Sequence, residues 1–213
     1  MENEGGRGHK GEVLLAAAKR CFLLHGYRRT SMDDVAQEAG VAKGTVYLYF
    51  KSKEEIFRAV SSAVIRKYLE AAEQAAASPG TVEERLAAAL EAKVLTVHAL
   101  KSSAHGQELV DSSHTVSGDL FEASFGTYVK ILERILEGAD LCMPASEAAW
   151  LCFRAAHSAG FSPGPPPPDA AEVQRRIREL TRVMVRGLSD QEVSFRRRAA
   201  GKVKPGAAAA RTS

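Results

Sequence analysis

The sequence predicts an all-α protein of about nine helices, three in a small N-terminal domain and six in a larger one. Three observations carry this. Ala, Leu, Glu and Arg dominate, while Gly and Pro gather in a few places, a composition that favours helices. No segment repeats the period-two alternation of a half-buried strand. Ser, Thr or Asp stands three residues ahead of an acid at Ser31–Asp34, Ser52–Glu55, Thr81–Glu84 and Asp169–Glu172. Each pair precedes an apolar run of helical period, which is the capping signature of a helix N-terminus. The chain of 213 residues suffices for one large domain or two small ones.

The polar start, residues 1–11, reads as a flexible tail. A first helix is expected over Glu12–His25, where Val13, Leu14, Ala17, Ala18, Cys21 and Phe22 recur at helical spacing, and Gly26 ends it. Ser31 opens a second helix, with Met32, Val35, Ala36 and Ala39 on one face and a left-handed Gly40 as its stop. Lys43–Tyr49 is the third. Val46 and Phe50 are available to the core, while Lys43, Gly44, Thr45, Tyr47 and Tyr49 lie on its other faces. A cation, a hydroxyl, two phenols and a residue without Cβ suit a helix lying in a DNA groove with phosphate contacts at its margins. Two short helices around a glycine also occur in helical bundles that never meet DNA, and periodicity does not separate the two cases.

The larger domain begins along a long fourth helix, Lys53 to about Ala77, closed by Ser78-Pro79-Gly80. A fifth follows Thr81 through Leu100, and Ser102-Ser103 break it. A short sixth is expected over His105–Ser112, a seventh over Leu120–Gly138, an eighth over Glu147–Ala159 and a ninth over Ala170–Leu188. The SPGPPPP segment, 162–168, is an extended connector between the last two. Residues 201–213 are of low complexity and expected to be disordered. The domain limits so drawn are 12–57, 58–195 and a basic tail at 196–213.

The segment GYRRTSMDDVAQEAGVAKGTVYLYFKSKEEIF, Gly26 to Phe57, resembles the DNA-binding domain of the TetR family of transcriptional regulators. Gly26, Thr30–Ser31, Val35–Ala36, Ala39–Gly40–Val41, Lys43–Gly44–Thr45, Tyr47, Tyr49–Phe50 and Lys53 carry the likeness without a gap. Ala42 departs from it, standing where the family has Ser or another capping residue. The resemblance implies a homodimeric regulator, a repressor on a pseudo-palindromic operator, released by an unknown small-molecule effector. It implies DNA contacts by Ser31, Met32, Ala42, Lys43, Gly44, Thr45, Tyr47, Leu48, Tyr49 and Lys53. It implies an effector pocket in the second domain, for which His98, Phe121, Phe125, Tyr128, Trp150 and Phe153 are candidates. It implies a dimer interface of the last two helices, with Val173, Ile177, Leu180 and Met184. The same aromatic and apolar stripes also read as plain core.

Charge supports an anionic partner at one end. Residues 1–53 carry +3 and residues 196–213 carry +6 within a net charge of +3, so the middle is acidic by about −6. There is no apolar run of eighteen residues and no signal-peptide pattern, so no membrane partner is expected and the location is cytoplasmic. Cys21, Cys142 and Cys152 have no CxxC spacing and are expected reduced and partly buried. No nucleophile elbow, P-loop, zincin or dinucleotide motif is present. An enzyme, a cofactor and a resident metal are therefore not expected. His98, His105, Glu108, Asp111 and His114 form a loose polar set that reads better as surface or pocket lining than as a metal site. The contrasting reading is a helical ligand-binding or enzymatic protein whose first domain is only an interaction module.

Overall fold

In the computed structural model, residues 4–160 and 168–189 are described; the connector and the basic tail expected above lie outside them, Pro168 apart. Among the described residues there are eight helices and no strand: α1 Glu4–Arg29, α2 Met32–Glu38, α3 Lys43–Tyr49, α4 Lys53–Ala77, α5 Val82–Lys101, α6 Gly106–Leu136, α7 Ala145–Gly160 and α8 Ala170–Leu188.

The caps fall where the sequence puts them. Ser31 Oγ accepts from the Asp34 N–H, and the Asp34 carboxylate accepts from the Ser31 N–H at 2.7 Å. Thr81 and Glu84 repeat the arrangement ahead of α5. Ser52 and Asp169 cap α4 and α8 through the N–H groups of Glu55 and Glu172. Each bond satisfies a donor that the first helical turn leaves open. Ala42 makes no such bond ahead of α3.

Two expectations change. α1 begins at Glu4, upstream of Glu12, and runs to Arg29 across a break at Gly26, whose φ of 81° no helix holds. The sixth and seventh helices are one, α6, kinked at Ser117 (φ −133°, ψ 23°). The run of Ser, Thr and Gly reads locally as a break, yet Ser113 and Thr115 turn their hydroxyls back to the carbonyls of Leu109 and Asp111. That bonding keeps polar residues within a helix and often bends it.

Two apolar cores result. The first gathers Leu14, Phe22, Val35, Val46, Ile56 and Phe57 from α1–α4; the second gathers Tyr68, Leu86, Leu90, Tyr128, Leu132 and Ile177 from α4–α8. α4 belongs to both. Its first half supplies Ile56, Phe57 and Val60 and its second half Ile65, Tyr68, Ala72 and Ala75, over a length of about 37 Å at 1.5 Å per residue. α6 also reaches across, setting Leu109 in the first core. Around α4, α5 packs on α8, and α6 and α7 close the bundle.

Candidate nucleic-acid interface

α2 and α3 meet at a turn in which Gly40 has φ 66° and Val41 N–H donates to Ala36 O at 3.0 Å. Val46 is the residue of α3 that is fully buried. With that side held, the opposite side faces outward: Tyr47 is 45% exposed and Leu48 84%. Among the described residues nothing covers this large apolar side chain on a seven-residue helix. Lys43 and Gly44 are exposed beside them, Ser31 and Ala42 are exposed at the two helix starts, and Thr45 and Tyr49 are half-buried. A Cβ built on Gly44 would meet nothing within 4 Å, so packing within the chain does not demand glycine there.

Three of the expected contact residues are held by their own chain. Met32 is buried in the first core, so its side chain does not reach the surface. Lys43 Nζ lies 2.8 Å from Asp33, whose hydrogen bond raises the Lys43 pKa. Lys53 Nζ donates to the Arg28 carbonyl at 3.2 Å and sits 4.7 Å from the centre of the Tyr27 ring. Tyr27 was not singled out in the sequence. It packs with Phe22 and Phe57 (centroids at 5.9 and 4.5 Å), and burial, with Glu54 at its hydroxyl, pushes its pKa up to about 12.

Two polar links tie this domain to α6. Glu108 accepts from the Arg28 backbone N–H at 2.8 Å. Arg58 of α4 grips both oxygens of Asp119 at 2.8 and 2.6 Å and also donates to the Val116 carbonyl, and this grip holds the Asp119 carboxyl down at about 2. Both links flank the kink at Ser117. The signal in the sequence was only an ionisable residue at each position.

The residues expected to line a pocket separate into four places. Tyr128 is fully buried, its hydroxyl donating to Ala89 O at 2.9 Å. Phe153 packs edge-on against it at 6.0 Å between centroids, and edge-on against Phe125 at 5.0 Å. Phe121 borders a void of about 80 Å³ with Tyr68, Phe57 and Leu109. His98 Nε2 donates to Pro168 O at 2.8 Å, and Trp150 is 48% exposed on α7. A larger cleft, about 610 Å³, opens between α1, α4 and α5, bordered by Leu15, Leu23, Val60, Val64, Leu95 and Leu100. The polar set around α6 also separates: His105 pairs with Glu108 at 3.7 Å, Asp111 accepts from Gln107, and His114 lies on Phe121. Among the described residues no three His, Cys, Asp or Glu come together as a metal group would need, and no helix is long and apolar enough to cross a membrane.

Of the expected interface residues, Val173 and Ile177 are fully buried in the chain's own second core, and Leu180 and Met184 pack half-buried against it. The first two therefore offer no surface to a partner. The apolar groups left outside on α7 and α8 are Trp150, Leu151 (43% exposed) and Val183 (68%).

This arrangement, a capped α2–turn–α3 unit with an exposed α3 face braced by α1 and α4, defines a helix-turn-helix protein. The N-terminal domain is of the TetR type: the profile of bacterial regulatory proteins, tetR family, matches residues 14–60. The uncharacterized HTH-type transcriptional regulator YhgD of Bacillus subtilis is 39% identical over 64 residues, 30% of this chain and 34% of that protein. The chain thus matches about a third of the length of that curated relative. A solved protein of Mesorhizobium loti, described as a TetR-family transcriptional regulator, superposes with a TM-score of 0.70 at 20% identity, covering 89% of this chain and all of its own. SmeT, the repressor of the Stenotrophomonas maltophilia multidrug efflux pump SmeDEF, superposes at 0.63 with 19% identity, covering 86% and 92%; it has also been solved in complex with triclosan.

Proposed function

We propose that this protein is a cytoplasmic, homodimeric transcriptional repressor that binds a palindromic operator through α3 and is released by a small-molecule effector held in the second domain. The uncovered face of α3 carries the reading. Tyr47 and Leu48 stand exposed on a helix whose other side is fixed in a core, and Gly44 beside them leaves room that the chain itself does not use. Side chains at such a face reach base edges in a major groove, with Lys43, Thr45 and Tyr47 nearest the groove and Tyr49 and Lys53 as the candidates for phosphate. Lys43 reaches a base or a phosphate by leaving Asp33, an exposed pair of small worth.

Two copies are needed to read a palindrome, with half-sites about 34–36 Å apart or a multiple of that. The exposed Trp150, Leu151 and Val183 on α7 and α8 are the surface we assign to the partner copy. Domains of 12–57 and 58–195 are part of this reading; the first core also takes Val60 of α4 and Leu109 of α6 from beyond residue 57. An effector that favoured one arrangement of α4 and α6 would then shift the separation of the two α3 helices. A coupling of about 1–3 kcal/mol changes operator affinity roughly 5–150-fold.

A mobility-shift titration on the DNA flanking its own gene tests the reading. Specific retardation that a palindromic competitor removes is expected. If the protein retards no fragment, the helical ligand-binding or enzymatic alternative takes its place.

A further inference from the structure

Lys93 sits among aromatic rings, and among the described residues no acid answers its charge. Its Nζ lies 4.6 Å from the ring centre of Phe153, 4.7 Å from Tyr128, 5.2 Å from Tyr68 and 5.9 Å from Phe125. These four rings come from α4, α6 and α7 and meet a lysine of α5. Among the described residues Lys93 makes no ion pair with a carboxylate, and desolvation by burial is what perturbs it. More positive charge lies close by: Lys101 and Arg154 as well as Lys93 act on His157, which stacks on Phe153 with centroids at 6.0 Å.

Ring faces partly compensate a buried ammonium, but an isolated charge in such surroundings is costly unless paired. Phe125, Phe153 and Lys93 are each half-buried, so each keeps part of its surface accessible to a ligand. A ligand that supplies the missing negative charge and covers the rings would satisfy both groups together.

We infer that Lys93 is the anion-recognising residue of the second domain, and that the effector is an organic acid whose carboxylate meets Lys93 while its apolar body lies on Phe125 and Phe153. This rests on the reading of the second domain as effector-responsive. A monoanion is favoured over a phosphate dianion because one ammonium in an apolar setting compensates one charge, and a second would remain desolvated without a partner. Burial lowers the Lys93 pKa to about 8, which leaves the ammonium mostly charged at neutral pH and open to further stabilisation by an anion.

Calorimetry with octanoate and benzoate, each against its primary amide, tests this on the full chain. Wild-type protein is expected to bind at least one acid at least tenfold more tightly than its amide. Lys93→Met, which keeps the length and apolar packing without the charge, is expected to lose that preference while retaining wild-type helicity by circular dichroism. If neither acid binds at millimolar concentration, if acids and amides bind alike, or if folded Lys93→Met keeps the preference, the inference is overturned. Operator binding is measured in parallel. A protein that binds DNA but neither acid loses this inference and keeps the regulator; one that binds an acid but no DNA does the reverse.

Discussion

The carboxylate of Glu108 on α6 accepts the backbone N–H of Arg28 at 2.8 Å, and it does so across Gly26. A Cβ on Gly26 would come within 2.3 Å of the Glu108 Oε2, and the φ of 81° there already disfavours any side chain. The end of α1 and the start of α6 are therefore fitted to each other by a missing side chain. Gly26→Ala should destabilise the fold by about 1–3 kcal/mol. Glu108→Ala should cost about 0.5–1.5 kcal/mol by removing the acceptor of the Arg28 N–H. In the double variant the clash is gone, so urea unfolding should show a loss smaller than the sum of the two. Strict additivity would mean that the backbone conformation of Gly26 alone sets its cost.

Lys53 has two candidate uses, one inside the chain and one outside. It already holds the Arg28 carbonyl and the Tyr27 ring. If it also holds a phosphate, Lys53→Ala should weaken specific and non-specific DNA binding alike and lower the slope of log K against log salt by about 0.9. A salt titration with unchanged slope, alongside lowered thermal stability, would leave Lys53 only its role in bracing α1.

For Lys93 the sign of a pH effect is fixed by the direction of its shift. Burial depresses its pKa to about 8 from a model-peptide value of about 10.4. Below pH 8 the native and unfolded states both carry the proton, and the native state bears the full desolvation cost. Between about 8 and 10.4 the unfolded state binds more proton, so this group makes stability rise with pH. Lys93→Met should accordingly be more stable than the wild type at pH 7, by on the order of 1–3 kcal/mol, and the gap should close as pH passes 10. Denaturant melts of both proteins at pH 7 and pH 10 check this. A gap of constant size would show that the change acts through packing.

The surface assigned to the second subunit can be tested without disturbing the core. Trp150 and Val183 are exposed on α7 and α8, so replacing both with Glu should leave helicity and melting temperature near those of the wild type. If they lie at the interface, placing charge in that apolar contact costs several kcal/mol. Sedimentation should then show a monomer, and operator binding should fall with it. A double variant that stays dimeric would put the interface on another face.

Much of the fold was legible because it is local. A cap needs only residues three apart, so Ser31–Asp34, Ser52–Glu55, Thr81–Glu84 and Asp169–Glu172 could be paired from the sequence, and all four helices start there. Gly40 marked where the chain must take a positive φ, and Gly26 marked where the first helix is interrupted. The helix-turn-helix segment was legible for the same reason, since one uninterrupted stretch carries it. What tertiary structure decided depends on residues far apart. The continuity of α6 through its Ser and Thr residues required packing against two cores, which local propensity does not contain. Periodicity assigned Val173 and Ile177 to an apolar stripe but not to the molecule it would face, and the bundle turned them into its own core. Lys93 follows Leu86 and Leu90 at apolar spacing, and that interruption was its one signal. That four rings would surround it depended on residues 68, 125, 128 and 153 converging. Helix packing sets such a convergence, and the order of residues along any one helix does not.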